Sequence, residues 1–232
     1  LTLSEYLSEQ LDDFSPTAGF KYNVAQGEII YSAPNGGQVV LRPPADSGWA
    51  PLGVRLDHSG RMLVTDVALG QNVVYVYSEE AVSAEDWTDF PAPEMEFGQA
   101  GAGNGQFSFP NNAVVDSRGR FYVVDGNNSR ISVWDPEGEF LFNFGLGVGS
   151  GALNLPRGAV IDGDDRLYVA DAVGQSVKVY DVSGDEVAFL FAFGDYGVEN
   201  GLFNYPNDIV LSPDGRIYIA DRENDRVQVW LY

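Results

Sequence analysis

Short apolar runs bounded by Gly, Pro, Asn and Asp recur along this chain in a fixed order. Over residues 110–144 they predict four strands: Ala113-Val114-Val115, then Arg120 to Val124, Arg130 to Trp134, and Glu139 to Phe144. Gly119 and Gly138 mark the tight hairpins between them. The second run, Phe121-Tyr122-Val123-Val124, is apolar at consecutive positions, so both faces of its strand have to be covered. Sheets stacked against neighbouring sheets meet that requirement.

The unit repeats. Pro110 opens PNNAVVDSRGRFYVVDGNNSRISVW, Pro156 opens PRGAVIDGDDRLYVADAVGQSVKVY, and Pro206 opens PNDIVLSPDGRIYIADRENDRVQVW. A fourth copy starts at Pro51, and the four starts lie 59, 46 and 50 residues apart. Each Pro is followed fifteen positions later by an Asp: Asp66, Asp125, Asp171 and Asp221. Residues 18–42 read as a worn fifth copy, with Gly27-Glu28-Ile29-Ile30-Tyr31 aligned on Gly60-Arg61-Met62-Leu63-Val64. Units of this length, made of short strands, stack radially as the blades of an all-β propeller. The expected blades are 18–50, 51–109, 110–155, 156–205 and 206–232, four-stranded, in a five-bladed or incomplete six-bladed ring.

The connections repeat too. Phe97-Gly98, Phe144-Gly145 and Phe193-Gly194 end outer strands, and Gly105, Gly151 and Gly201 follow, each five residues before a Pro. Pairs of apolar residues, Phe107 and Phe109, Leu153 and Leu155, Phe203 and Tyr205, are placed as plugs between blades. The last copy ends after its third strand, so an outer strand is expected from residues 1–25. Residues 1–17 form the other region. Thr2 and Glu5 have the form of a capping box, and Leu3, Leu7 and Leu11 make the apolar stripe of a short amphipathic helix over 2–14.

The string GxFxxP–xx(A/I)VxD–xxGRxYVxD–xxNxRVxVW resembles the NHL repeat, most strongly at 105–134 and 201–230. The resemblance implies the propeller fold and leaves function open, because NHL propellers serve as RNA-binding domains, extracellular sensors of bacterial kinases, a zinc-dependent amidating lyase and interaction platforms. Related lactonase-like propellers hold Ca²⁺ with inner-strand Asn, Asp and Glu. Here the residues after each Pro, among them Asn111, Asn112, Arg157, Asn207 and Asp208, are placed at the channel mouth as candidate ligand contacts. Their oxygens suit Ca²⁺, whereas Arg157 opposes it. The repeated Asp, with Asn128 and Arg130 or Asn224 and Arg226, reads as a structural latch, since catalysis is not copied into every unit.

Charge and composition narrow the functions. The chain has 232 residues and a formal net charge of −21, from 34 acids and 13 bases, which repels nucleic acid. It has no Cys and one His, His58, in a turn, so zinc and Ser-His-Asp chemistry lack their side chains. No run is long enough to span a membrane. The absence of Cys and the start at Leu1 fit an extracytoplasmic, processed or trimmed polypeptide, periplasmic or at the cell surface. An acidic insertion at 78–96 carries Trp87, Phe90 and Met95, which read with the N-terminal helix as protein contacts. The expectation is a non-catalytic scaffold without a resident cofactor, a subunit of a larger extracytoplasmic or membrane-associated assembly. The alternatives are a Ca²⁺-dependent lactonase or esterase and an extracellular ligand sensor.

Overall fold

The computed structural model describes residues 19–23, 28–32, 38–41, 50–83 and 92–231. A meander of β1 (Gly19–Asn23), β2 (Glu28–Ser32) and β3 (Gln38–Leu41) comes first. Four antiparallel sheets follow as blades. Blade one is β4 (Pro51–Leu56), β5 (Met62–Asp66), β6 (Val73–Tyr77) and β7 (Met95–Phe97). Blade two is β8 (Pro110–Val115), β9 (Phe121–Asp125), β10 (Arg130–Trp134) and β11 (Phe140–Phe144). Blade three is β12 (Pro156–Ile161), β13 (Arg166–Asp171), β14 (Ser176–Asp181) and β15 (Ala188–Phe193). Blade four has three strands, β16 (Pro206–Leu211), β17 (Arg216–Asp221) and β18 (Arg226–Leu231). The innermost strands β4, β8, β12 and β16 neighbour one another in turn, as a propeller requires.

Among the described residues the expectation of five four-stranded blades is corrected to four stacked blades, the last with three strands, and the expected first blade is a three-stranded sheet of its own, β1–β2–β3. The expected loan of an outer strand is not made by residues 19–23, because β1 lies in a different sheet from β18. Among the described residues, β18 is the edge of its sheet. The helix expected over 2–14, with Leu3, Leu7 and Leu11, lies outside the described residues. A short helix that the sequence pattern did not announce, α1 (Glu79–Ser83), follows β6.

Three apolar clusters sit between blades. Leu63, Val74, Val76 and Phe97 of blade one meet Phe107, Ala113, Phe121 and Trp134. Tyr122, Val124, Ile131 and Val133 of blade two meet Leu153, Ala159, Leu167 and Tyr180. Tyr168, Ala170, Val177 and Val179 of blade three meet Phe203, Ile209, Ile217 and Ile219. Every residue of β5, β9 and β10 is buried, so both faces of these strands are covered, as the apolar run Phe121–Val124 of β9 requires. The first plug of each pair, Phe107, Leu153 and Phe203, is buried in these clusters. Burying a ring of that size contributes about 2–3 kcal/mol.

The second plug behaves otherwise. Phe109 and Tyr205 have left-handed backbones, with φ of 55° and 60°, and Phe109 is exposed. The second plugs therefore do not fill the wedge as the first ones do, and the Tyr205 hydroxyl accepts from Arg157 Nη2 at 3.1 Å. Met95 is also corrected: it lies in β7 and packs toward the blade-two hairpin at Gly138, so it is not a free contact of the 78–96 insertion. Trp87 and Phe90 fall outside the described residues.

The repeated Asp works as a latch, with a longer reach than its spacing suggested. Asp66 and Asp171 bond nearby N–H groups, Ala68 at 2.6 Å and Gly174 at 3.2 Å. Each of the four also accepts an N–H from the segment leading into its own inner strand: Ala50 at 3.0, Ser108 at 2.6, Asn154 at 3.0 and Asn204 at 2.7 Å. Arg130 and Arg226 bond Asp125 and Asp221 through Nε at 2.8 Å and fan their remaining N–H groups over loop carbonyls. Blade three lacks that Arg, and Lys178, two positions further along, bonds Asp171 at 3.0 Å and reaches the Ala152 carbonyl. The latch ties the start of the inner strand to the end of the second strand and so fixes the mouth.

Candidate functional site

A bulge makes the mouth. In every blade the register slips after the Pro, between Pro51 and Gly53, Pro110 and Asn112, Pro156 and Gly158, and Pro206 and Asp208. The extra residue, Leu52, Asn111, Arg157 or Asn207, is left out of the ladder. Inner strands then approach closely. A Cβ on Gly53 would lie 2.3 Å from the Asn111 carbonyl oxygen, and one on Gly158 would lie 2.6 Å from the Asp208 Cα. Glycine permits that approach where a side chain would push the blades apart.

Around the axis these residues enclose a cavity of about 140 Å³, lined by Leu52, Gly53, Val54, Arg55, Asn111, Asn112, Arg157, Asn207 and Asp208. All five channel residues singled out from the sequence meet there. Arg55 does too, and the sequence reading passed over it. Its repeat counterparts are Val114, Val160 and Val210, so a cation at an otherwise apolar position was the available signal.

The polar groups at the mouth mostly satisfy one another. Arg55 Nη2 crosses from blade one to bond Asp208 Oδ1 on blade four. Arg157 Nη1 donates to Asn111 Oδ1 at 2.8 Å, and Nη2 donates to the Tyr205 hydroxyl at 3.1 Å. The guanidiniums of Arg157 and Arg222 lie 6.0 and 5.3 Å from the Tyr205 ring centroid, within cation–π range. Arg55 Nε, Arg157 Nε and Asn112 Oδ1 are buried without a partner among the described residues. On a strongly acidic protein, this end of the channel is a small basic focus.

That donor set does not fit Ca²⁺. A hard dication wants six to eight oxygens. Here Asp208 is the one carboxylate lining the cavity, its Oδ1 is taken by Arg55, and the Asn111 oxygen is taken by Arg157. Two guanidiniums would face the ion at close range. Among the described residues, no three His, Cys, Asp or Glu side chains cluster as metal ligands.

A wider cavity of about 430 Å³ opens at the far ends of the inner strands, between Leu56, Val114, Val160 and Ile161, with Asp57, His58 and Asp165 at its rim. His58 is exposed in its turn. Asp165 is committed to Ser117, accepting from its backbone N–H at 2.8 Å and from its hydroxyl. Asp57 and Asp162 each close a hairpin, taking their partner Arg61 or Arg166 through Nε at 2.8 and 2.7 Å. Hydrogen bonds from Ser59 and Arg61 outweigh burial and hold the Asp57 carboxyl below its ordinary pKa. These are the bonds of a folded hairpin, and the imidazole has no acid–base partner among them.

The family model for the NHL repeat matches residues 107–134 and 203–230, each span running from a buried plug through latch and Arg to the third strand. The chain is an NHL-repeat β-propeller. Protein lin-41 of Caenorhabditis elegans is 33% identical over 83 residues, 36% of this chain and 6% of that protein. Peptidyl-glycine alpha-amidating monooxygenase B of Xenopus laevis is 32% identical over 124 residues, 53% of this chain and 13% of that protein. The NHL chain therefore spans a small part of these curated relatives. Among solved structures, a Lactobacillus plantarum protein superposes with a TM-score of 0.63 at 18% identity, covering 91% of this chain and 63% of that one. The periplasmic gluconolactonase of Pseudomonas aeruginosa gives 0.58 at 16%, covering 88% and 58%. At such identities the likeness is one of fold.

Proposed function

We propose that this NHL propeller is a non-catalytic protein-interaction module, one subunit of a larger extracytoplasmic or membrane-associated assembly. The observation that carries the reading is the mouth, where Arg55 takes Asp208 Oδ1 and Arg157 takes Asn111 Oδ1, so two of the oxygens a metal-dependent hydrolase would use are engaged and two guanidiniums stand beside the rest. A second observation points to the contact surface. Val210, Val227, Val229 and Leu231 of blade four are all exposed on one sheet face, and grouped apolar side chains on a rigid surface mark interaction sites. The acidic surface and the lack of Cys support a place outside the cytoplasm.

The rivals are a Ca²⁺-dependent lactonase or esterase and a channel-binding sensor. Calorimetric Ca²⁺ titration of the purified protein, with a panel of lactones and aryl esters assayed with and without chelator, separates the enzyme from the module. The module gives no Ca²⁺ heat and no turnover. Hydrolysis that needs Ca²⁺ and disappears in Asp208→Ala and Asn111→Ala overturns it. Co-purification from the native source then reads the assembly directly, and a lone monomer there contradicts the reading.

A further inference from the structure

Among the described residues, Lys178 and every Arg other than Arg157 lie within ion-pair reach of an Asp or Glu. Arg157 has no such partner, on a chain that carries 34 acids. Its side chain bonds Asn111 Oδ1 and the Tyr205 hydroxyl, both neutral, and so spends only part of the five N–H groups of a guanidinium. A partly buried cation without a counter-charge is costly to keep. The blade does not require it, since Leu52, Asn111 and Asn207 stand at the same repeat position.

A second group at the mouth is unspent. Asn112 is 3% exposed and lines the same cavity, and its Oδ1 has no partner among the described residues. Its repeat counterparts are Gly53, Gly158 and Asp208, so a buried amide is no requirement of the fold either. A buried acceptor calls for a donor. The charges around the cavity do not cancel: Arg55 and Arg157 are positive, Asp208 is negative and held by Arg55, and one positive charge is left over. The cavity, about 140 Å³, is well below the ~300–1,000 Å³ of a drug-sized site. Apolar surface stands beside it. Leu52 is 44% exposed, and Phe109, whose carbonyl accepts from Asn111 Nδ2 at 2.7 Å, is 46% exposed.

We propose that the mouth receives one carboxylate group, with Arg157 holding its negative charge and Asn112 Oδ1 accepting an N–H carried beside it. The proposal rests on the reading of the propeller as an interaction module. The carboxylate is then an Asp or Glu side chain of the partner, and the N–H belongs to the partner's backbone. A guanidinium and a carboxylate make a charge-assisted pair, and the space suits a single side chain. Leu52 and Phe109 supply apolar contact around it. A neutral amide leaves the surplus charge unmet, and a dianion exceeds it. A free small acid offers the same charge, and the test separates the two sources.

Two capped alanine peptides, one with a central Glu and one with a central Gln, and sodium propionate are titrated against the full chain at fixed ionic strength. The arginine Nε–H signals are followed by NMR. The Glu peptide is expected to bind at least about tenfold tighter than the Gln peptide or propionate, a difference of about 1.4 kcal/mol, and to move the Arg157 signal. Arg157→Gln should remove the preference for Glu. Asn112→Leu should weaken the Glu peptide at least about threefold and leave propionate, which carries no donor, unchanged. The amide spectra of both variants show whether they keep the parent fold. On the parent chain alone, equal binding of the Glu and Gln peptides, or an Arg157 signal that stays in place, overturns the proposal. So does a Glu preference that survives Arg157→Gln in a folded protein. Propionate as tight as the Glu peptide overturns it too, because a free acid is then the occupant. A lone monomer in native extracts would remove the module and leave the measured Glu preference standing. Loss of that preference would remove the site and leave the co-purification result untouched.

Discussion

Blade three and blade four share the Pro, the latch Asp and five residues of one face, Val160, Tyr168, Ala170, Val177 and Val179 matching Val210, Tyr218, Ala220, Val227 and Val229, yet one is enclosed and the other half open. β13 is buried from Leu167 to Asp171, whereas β17 alternates, with Ile217, Ile219 and Asp221 buried and the residues between them partly exposed. The strand pairing is the same in both. The local code therefore builds the blade, and the neighbour decides what the same side chains contribute. In this fold stability comes from stacking, and a blade's outer face is only as stabilising as the blade that covers it.

The sharpest way to break the comparison is to put one charge at both equivalent positions. Val179→Asp buries an unpaired carboxylate between blades and should cost at least about 4 kcal/mol. Val229→Asp places the same group in water and should stay within about 0.5 kcal/mol of the parent. Urea unfolding of the two variants reads both, and equal losses would contradict the account.

The latches come next. Asp125→Ala strands the guanidinium of Arg130, whose side chain is 5% exposed, and should cost about 3–5 kcal/mol. In Asp221→Ala the bereaved Arg226 is 26% exposed and can turn to solvent, so about 1–2 kcal/mol is expected. Thermal melts of the pair test the order.

Acid should separate the same two carboxyls. Burial pushes Asp125 above its ordinary pKa despite the Ser108 N–H, Asn128 and Arg130. Burial acts on Asp221 too, but Asn204 N–H, Asn224, Arg226 and Gln228 outweigh it and hold that carboxyl below 3.8. A lowered carboxyl contributes stability above its unfolded pKa and loses it as pH falls through the folded value; a raised one has the opposite sign. On falling pH the Asp125 carboxyl should thus take up its proton before that of Asp221 does. Carboxyl NMR titration checks the order, and a reversal would contradict it.

The smallest effect belongs to Gln175 and its repeat counterpart Asp225. Gln175→Ala removes the bond to Tyr205 N between blades three and four and should cost about 1 kcal/mol. Asp225→Ala, on the open edge, should leave stability unchanged in denaturant titrations.

Much of this was legible in the sequence, and the misses share a cause. Strand order, hairpins and the latch Asp follow from local spacing, which local bonds enforce. The channel residues were readable because the position after each Pro is fixed by the bulge. What escaped depends on partners far along the chain. Lys178 substitutes for the missing Arg of blade three from another position, visible only once β14 faces the loop at Ala152. Arg55 pairs with a residue 153 positions away. The left-handed turn at Phe109 and Tyr205 lies in a backbone φ that an apolar pattern does not encode. Met95 sits on an edge strand of three residues, too short to announce itself inside an acidic segment.

Amide hydrogen exchange of β13 against β17 tests the central claim most directly. Both strands are hydrogen-bonded on either side, so a difference between them reports what lies beyond those bonds, the cover on their faces together with the outer strand present only in blade three. Tyr168, Val169 and Ala170 should exchange at least about a hundredfold more slowly than Tyr218, Ile219 and Ala220, about 2.7 kcal/mol of extra protection. Equal protection in a monomeric sample would mean that stacking does not set blade stability, and the account would fail.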